Sequence, residues 1–357
     1  MRVLCVNTGS SSVKLALIGP DDAQLGEHEA ASPGTDVDAT ALGAALAELG
    51  PADAVAHRIV HGGRRPGPAR LDAALVAELE GLTPLAPLHQ PKALAAIAAT
   101  ERARPGLPAV ACFDTAFHAG LPAAAATYAL PAAWRERFSL RRFGFHGLSH
   151  AYASRRAVEL LGLGEDARLV TCHLGAGASL AAIAGGASVD TTMGFTPLEG
   201  IVMATRSGSV DPGLVLHLVR QGLAPADVLD GLERESGLKG LAGTGDTREL
   251  LARDDDDARL ALAVYIHRLA GAVAAMAVAA GGLDALVFTG GVGEHAPAIR
   301  AAAAGRLGLL GVALDAGANE RAAGDAEIGA PGAAVRSVVV AAREDVEMAR
   351  QARAVLG

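Results

Sequence analysis

Two segments whose starts lie 166 positions apart follow one pattern. Residues 3–16 (VLCVNTGSSSVKLA) and 169–182 (LVTCHLGAGASLAA) each read as a buried strand, a turn of small residues and a second apolar strand. Gly9 and Gly175 occupy matching places in the two turns. A single duplication at nearly half the chain length calls for two similar domains and rules out a solenoid. Each domain is expected to offer a phosphate-sized turn to one shared cleft. The first turn also concentrates rare residues. Only Asn7 and Asn319 are asparagine and only Lys14, Lys92 and Lys239 are lysine, and one of each falls within residues 7–14. Serine, glycine and asparagine also suit an ordinary hairpin, but backbone N–H groups beside a lysine charge make an anion cradle.

A chain of 357 residues exceeds the size at which one core stops growing, which also points to two domains. Half the residues are apolar and the net charge is −8 with no basic block, which argues against a general nucleic-acid binder. Cys5, Cys112 and Cys172 sit in apolar runs and read as buried free thiols, the usage of a reducing, cytoplasmic compartment. The first strand opens at Arg2, where a signal peptide would otherwise lie. The most apolar helical stretch, about residues 260–283, contains His267 and Arg268. It is expected to be a core helix, too short once interrupted to cross a bilayer. The acidic run 254–257 before it reads as a solvated loop.

Apolar runs predict strands near 2–7, 13–18, 54–60, 109–113, 168–173, 179–184, 284–289 and 335–341. Alanine- and leucine-rich stretches predict helices near 36–49, 71–80, 91–103, 148–162, 212–220, 225–236, 258–282 and 343–355. Strands mixed with helices in this way indicate an α/β protein with helix-covered sheets.

Several polar segments stand between apolar runs and glycines. HRIVHGG (57–63) puts an arginine at a strand end, and FDTAFH (113–118) puts an aspartate after another strand. RRFGFHGLSH (141–150) opens a helix with two histidines, and TRSGSVDP (205–212) carries an arginine just before a helix. LVFTGGVGEH (286–295) is a strand running into a glycine turn and a helix start, a setting that suits phosphate or ribose. His146 and His150, four apart, have zinc-ligand spacing but no HExxH glutamate and no obvious third ligand. No GxxxxGK[ST] occurs, which excludes a Walker-type P-loop, and neither glycine cluster completes GxGxxG.

The segments NTGSSSVK, HRIVHGG, LAPLHQP, FDTAFH, RRFGFHGLSH, TCHLGAGASL, DTTMGFTPLEGIVMATRSGSVDP and FTGGVGEH together resemble the acetate kinase family, in family order and along the whole chain. That resemblance implies two duplicated actin-like (ribonuclease H-like) α/β domains with an interdomain cleft. The first would be residues 1–145 joined by the C-terminal helix at about 345–357, and the second residues 146–344. It implies reversible, in-line transfer of the ATP γ-phosphoryl group to acetate, giving acetyl phosphate and ADP. Mg²⁺ would be required, with Mn²⁺ as a substitute, and the enzyme would be a cytoplasmic homodimer with no nucleic-acid or membrane partner.

Carried over residue by residue, the resemblance implies that Asn7 and Glu344 help hold the metal. Ser10, Ser12 and Lys14 would line the first phosphate turn, and His173, Gly175 and Gly177 the second. Arg58 and Arg206 would grip the acetyl-phosphate end, with Asp114 between them and His146 on the phosphoryl group. Asp246, Arg248, Gly291, Val292, Gly293 and Glu294 would contact the nucleotide. Val60, Leu88 and Pro197 would shape the methyl pocket. Three positions depart from the family pattern, which has asparagine at Ala176 and His295 and asparagine or aspartate at Arg343. All three fall on the nucleotide and metal side, so GTP or pyrophosphate are alternative donors, as propionate and butyrate are alternative acceptors. From other classes stand a nucleotide-sensing actin-like protein without transfer activity, and a zinc hydrolase built on His146 and His150.

Overall fold

The computed structural model describes residues 1–9, 12–31, 37–87 and 89–357. The chain divides into two compact units. Unit 1 comprises residues 1–119, 145–152 and 343–357, and unit 2 comprises 120–144 and 153–342.

Unit 1 is built on six strands: β1 (Val3–Thr8), β2 (Ser12–Ile18), β3 (Gln24–Ala31), β4 (Ala54–Ile59), β5 (Ala69–Arg70) and β6 (Ala109–Phe113), in spatial order β3-β2-β1-β4-β6-β5. The β1, β2 and β3 strands are antiparallel neighbours, β1, β4 and β6 run parallel, and β5 closes the edge antiparallel to β6. Unit 2 repeats the scheme with β7 (Arg168–Leu174), β8 (Ala178–Ala184), β9 (Ala187–Thr191), β10 (Ala285–Thr289), β11 (Ala326–Glu327) and β12 (Arg336–Val339). Its order is β11-β12-β10-β7-β8-β9, with β7, β10 and β12 parallel and the other pairings antiparallel. Counted from its own first strand, each sheet has the same order and the same strand directions. The duplication at residues 3 and 169 is therefore a duplication of whole α/β units. In both, the repeated segment is the first hairpin, closed by Gly9 N–H to the Ser12 carbonyl at 2.9 Å and by Gly175 N–H to the Gly177 carbonyl at 3.0 Å.

The helices cover the sheet of unit 1 on both faces. α1 (Ala39–Glu48), α2 (Ala73–Gly81) and α3 (Gln90–Ala103) pack on one side, over Leu4, Val6, Val55, Ile59, Ala111 and Phe113. The C-terminal helix Glu344–Leu356 and Leu148 pack on the other, over Val3, Cys5, Ala56, Val110 and Cys112. Alternation of side chains along each strand produces this sorting. All three cysteines are buried free thiols, as expected from their runs.

In unit 2 the helix expected at 258–282 spans Asp256–Ala279, and its apolar stretch, expected to be too short once interrupted by His267 and Arg268, is long enough to span a bilayer. Charge lowers hydropathy but does not break a helical backbone, and arginine is a good helix former. It is the one helix among the described residues long and apolar enough to cross a membrane. Its buried face includes Ala261, Tyr265, Leu269, Val273 and Met276, and it packs against β7 and β8. The acidic run before it is part of the helix start. Asp255 accepts from the Ala258 N–H as N-cap, and Asp256 and Asp257 fill the first turn, where carboxylates oppose the positive end of the helix dipole.

Candidate active site

In unit 1 three parallel strands end in polar residues on one face. Val3 and Cys5 lead to Asn7 on β1, Ala56 leads to Arg58 on β4, and Val110 and Cys112 lead to Asp114 after β6. Each polar residue extends a stripe that is apolar in the core, so period-two alternation brings the three together beyond it. The carboxyl ends of parallel strands are the usual ligand position in α/β sheets. The helix covering this face begins at Glu344, which adds a carboxylate from the far end of the chain.

These groups form one connected cluster. Arg58 Nε donates to Asp114 Oδ1 and Oδ2 at 3.1 and 3.2 Å, and Arg58 Nη2 donates to Oδ2 at 2.6 Å. Arg58 Nη1 donates to Asn7 Oδ1 at 3.1 Å and lies 3.5 Å from Glu344 Oε2. Asn7 Nδ2 donates to the same Glu344 oxygen at 2.7 Å. Burial works against the Arg58 charge, yet Asp114 and Glu344 outweigh it and raise its pKa above the ordinary arginine value. Burial is also the largest influence on Asp114 and lifts its carboxyl, against the pull of Arg58 and of the His146 backbone N–H. A guanidinium fork held this way has its planar geometry set before any ligand arrives.

The backbone beside Asp114 is tightly fitted. His146 has φ 56°, in the left-handed region that costs a non-glycine residue energy. Gly147 N–H donates to the Asp114 carbonyl at 3.0 Å, and a Cβ on Gly147 would overlap that same oxygen. Only glycine fits there, so GFHG is read in the structure as a clamp on Asp114. Lys92, almost fully buried, donates from Nζ to the Gly9 carbonyl at 3.0 Å and so fixes the entrance to the first turn. Val60 is buried just beyond β4. Ser12 and Lys14 turn elsewhere: Ser12 Oγ donates to Glu29 Oε1 at 2.8 Å, and Lys14 Nζ stands 3.6 Å from Glu29 Oε2. Ser10 and Leu88 lie outside the described residues.

In unit 2, Arg206 Nη1 donates to the Pro197 carbonyl at 3.1 Å and reaches Met203 Sδ at 3.6 Å. Burial pulls the Arg206 pKa down and Glu233 pulls against it. The second turn is tied to the same loop, since Ala204 N–H donates to the Ala176 carbonyl at 3.1 Å. The GFTPLEG segment has its own support. Tyr128 Oη donates to Glu199 Oε2 at 2.5 Å and accepts from Phe195 N–H at 2.8 Å, while Arg142 Nη2 donates to Glu199 Oε1 at 2.7 Å. His173, next to last in β7, pairs with Thr289 of β10, and Gly290, with φ 78°, turns the chain into the short helix Gly290–His295. Asp246 caps the helix Thr247–Ala252 and pairs with Arg248 at 2.7 Å, which lowers its pKa to about 2. That pair is exposed.

Sequence reasoning missed Arg300, the largest fully buried side chain among the described residues. It donates to the carbonyls of Gly293 and Glu294 at 2.8 and 2.7 Å, and to Asn319 Oδ1 and O at 2.8 and 2.6 Å. Four neutral oxygens thus hold its charge, and it clamps the end of the glycine turn. Asn319 in turn donates to the Pro297 carbonyl at 3.0 Å. The signal was present, because Asn319 is the only asparagine besides Asn7. His295 and Asn319 border a cavity of about 350 Å³ next to this clamp.

A twice-used α/β unit, carrying a buried arginine–carboxylate cluster in one copy and a strand-to-helix glycine turn in the other, belongs to a class of phosphotransferase folds. The sequence profile of the Acetokinase family matches residues 43–350. The chain is 46% identical to an acetate kinase of Deinococcus deserti, over 100% of this chain and 98% of the relative. An acetate kinase structure from Porphyromonas gingivalis superposes with TM-score 0.90 at 34% identity, covering 100% of both chains. A propionate kinase structure from Francisella tularensis superposes with TM-score 0.91 at 33% identity, covering 99% of this chain and 100% of that one. The chain belongs to the acetokinase family.

Proposed function

We propose that the protein is an acetate kinase that moves the γ-phosphoryl group of ATP to acetate and runs in reverse from acetyl phosphate and ADP. An acetate oxygen attacks the γ-phosphorus, the bond to the bridging oxygen breaks, and ADP leaves with that oxygen. Acetate is already ionised, so the step requires no general base. It requires alignment and neutralisation of charge on the equatorial oxygens. The observation that carries the reading is the buried Arg58–Asp114 pair with Asn7 and Glu344 at the carboxyl ends of three parallel strands.

In this reading Asp114 aims Arg58, whose free N–H directions meet phosphoryl or carboxylate oxygens. Arg206 supplies a second guanidinium, oriented by the Pro197 carbonyl, and His146 donates to the phosphoryl group. Gly291, Val292, Gly293 and Glu294 receive the nucleotide at the helix opening, where backbone N–H groups suit phosphate. Val60 and Pro197 border the acyl group.

Glu344 and Asn7 offer hard oxygen donors suited to Mg²⁺, which takes one or two protein ligands and fills its sphere with water and substrate phosphate. When bound, the ion would neutralise phosphate charge. The Asn7 amide oxygen accepts from Arg58 and Glu344 Oε2 accepts from Asn7 Nδ2, so each would exchange a present contact for the ion. Ser12 and Lys14 act on the phosphate turn through Glu29 rather than by direct contact.

A propionate kinase is the second reading, favoured by the likeness to the Francisella tularensis structure. One methylene changes discrimination by only ~1–3 kcal/mol, so overlapping acceptor use is expected. Initial rates with acetate, propionate and butyrate against ATP, GTP and pyrophosphate test both. Highest kcat/KM with acetate and ATP supports the proposal, and absence of acyl phosphate with every pair overturns it.

A further inference from the structure

Unit 1 holds a cavity of about 380 Å³ on the other side of the strand that carries Arg58. That volume falls within the ~300–1,000 Å³ of small-molecule sites. Val55 and His57 of β4, Val76 of α2 and Ile97 of α3 line it. Strand alternation separates it from the cluster described above. Arg58 turns to the C-terminal helix, and His57 turns to the face covered by α1–α3.

His57 is the unexplained group. It is only 2% exposed, yet its ring has no hydrogen-bond partner among the described residues. Buried polar groups are as a rule paired. Burial pushes its pKa down to about 3, so the ring is neutral and offers one donor and one acceptor. Most polar groups around the cavity are engaged already. Asp72 accepts from Leu75 N–H at 2.8 Å, Thr100 Oγ1 donates to the Ala96 carbonyl at 2.8 Å, and Glu101 accepts from Gly106 N–H at 3.3 Å. Arg104 Nη2 donates to the carbonyls of Leu46 and Gly50 at 2.6 and 3.2 Å. Arg70, exposed at the edge strand β5, has no partner among the described residues. What remains is a chamber of mixed lining in which Arg70 is a cation and His57 an imidazole with no partner among the described residues, while the Asp72 and Glu101 carboxylates are each engaged by a backbone N–H.

We propose that this cavity is a second ligand site, separate from the Arg58 cluster. It takes a small monoanion with an apolar body and a hydroxyl or amide at the far end. The acid group pairs with Arg70, the body packs on Val55, Val76, Ile97 and Leu107, and the polar end bonds to His57. Nothing in this assignment depends on the reaction proposed above.

Calorimetric titration of the full-length protein tests it with three probes of one shape: 4-hydroxyphenylacetate, the cation tyramine and the neutral 4-ethylphenol. Arg58→Ala is titrated in parallel, because a carboxylate could also enter the cluster. The expected result is one saturable site for 4-hydroxyphenylacetate, retained in Arg58→Ala. Loss of a charge-assisted contact in Arg70→Gln weakens it ~10-fold or more. Val76→Trp, which fills the chamber, abolishes binding. His57→Phe keeps the ring volume, removes both nitrogens and weakens binding if the tryptophan variant does not fold. No saturable binding below ~10 mM, tenfold weaker than a ~1 mM ligand, overturns the proposal. So does equal binding of all three probes, or binding unchanged by Arg70→Gln and His57→Phe.

Discussion

Replacing Asp114 by asparagine keeps its volume and removes the charge that faces Arg58. Asp114 is fully buried and receives three N–H contacts from Arg58 at 3.1, 3.2 and 2.6 Å. In the variant an amide NH₂ can oppose a guanidinium N–H, and Arg58 keeps only Glu344, 3.5 Å away, as an acidic neighbour. Removing one partner of a buried pair costs ~3–5 kcal/mol. Glu344 still offsets part of the guanidinium charge, which places the expected loss near the low end, ~3 kcal/mol. With a urea slope of ~2 kcal/mol/M this moves the midpoint down by ~1.5 M. Far-UV circular dichroism is the readout, because the single tryptophan, Trp134, belongs to unit 2. The double variant Arg58→Met with Asp114→Leu removes both charges, and apolar replacement of a whole buried pair is often neutral or stabilising. It should recover most of the stability while acetyl phosphate formation stays lost. An unchanged midpoint in Asp114→Asn, or a double variant as unstable as the single one, refutes the view that this pair is a buried, mutually dependent unit.

Two further outcomes follow from the same structure. Arg300→Met deletes four hydrogen bonds under the glycine turn, so the KM for ATP should rise ~10-fold or more, as for loss of charge-assisted contacts, with a smaller change for acetate; equal changes in both contradict the clamp. His57, His61 and His118 are buried with pKa values lowered by burial to about 3, 4 and 4 from 6.5. Below pH 6.5 the unfolded chain takes up protons that the folded chain refuses until the pH nears 4. Stability is therefore full above pH 6.5 and is lost as the pH falls, by up to ~1.4 kcal/mol per pH unit for each histidine. The lifted carboxyls of Asp114, Asp190 and Glu233 oppose this trend, and the lowered carboxyls of Asp246, Asp255, Asp284 and Glu327 reinforce it. Urea midpoints that are flat between pH 7 and pH 5 contradict it.

The strands that sequence revealed are the buried ones. β1, β2, β4, β6, β7, β8, β10 and β12 are continuous apolar runs or close to it, and the repeat marked β1–β2 and β7–β8, two of the six antiparallel pairings among the described residues. The β3 strand (QLGEHEAA) went unread because it is an edge strand whose outward residues are charged, which is how edges resist pairing with other chains. The β9 strand is five residues long at the opposite edge of the other sheet, and β5 and β11 have two residues each. None of these is long enough to show a period. Arg58 and Asp114 were legible at strand ends, Asn7 as a rare amide in the first turn, and Glu344 only through family resemblance. Their supports were not. Arg300 sits in an alanine-rich helix and reads like a surface cation, and only its carbonyl partners around Gly293 and Asn319 show otherwise. Glu29 draws Ser12 and Lys14 aside because β3 pairs with β2, a neighbour relation invisible without that strand.

The central claim is that Arg58 and Arg206 neutralise charge on a phosphoryl group during its transfer to acetate. Hydroxamate detection of acetyl phosphate, with purified wild type, Arg58→Ala and Arg206→Ala at saturating acetate and ATP, tests it most directly. Each variant should lose ~10³-fold or more in kcat, as for other arginines that stabilise phosphoryl transfer. Turnover near that of the wild type in either variant contradicts the claim.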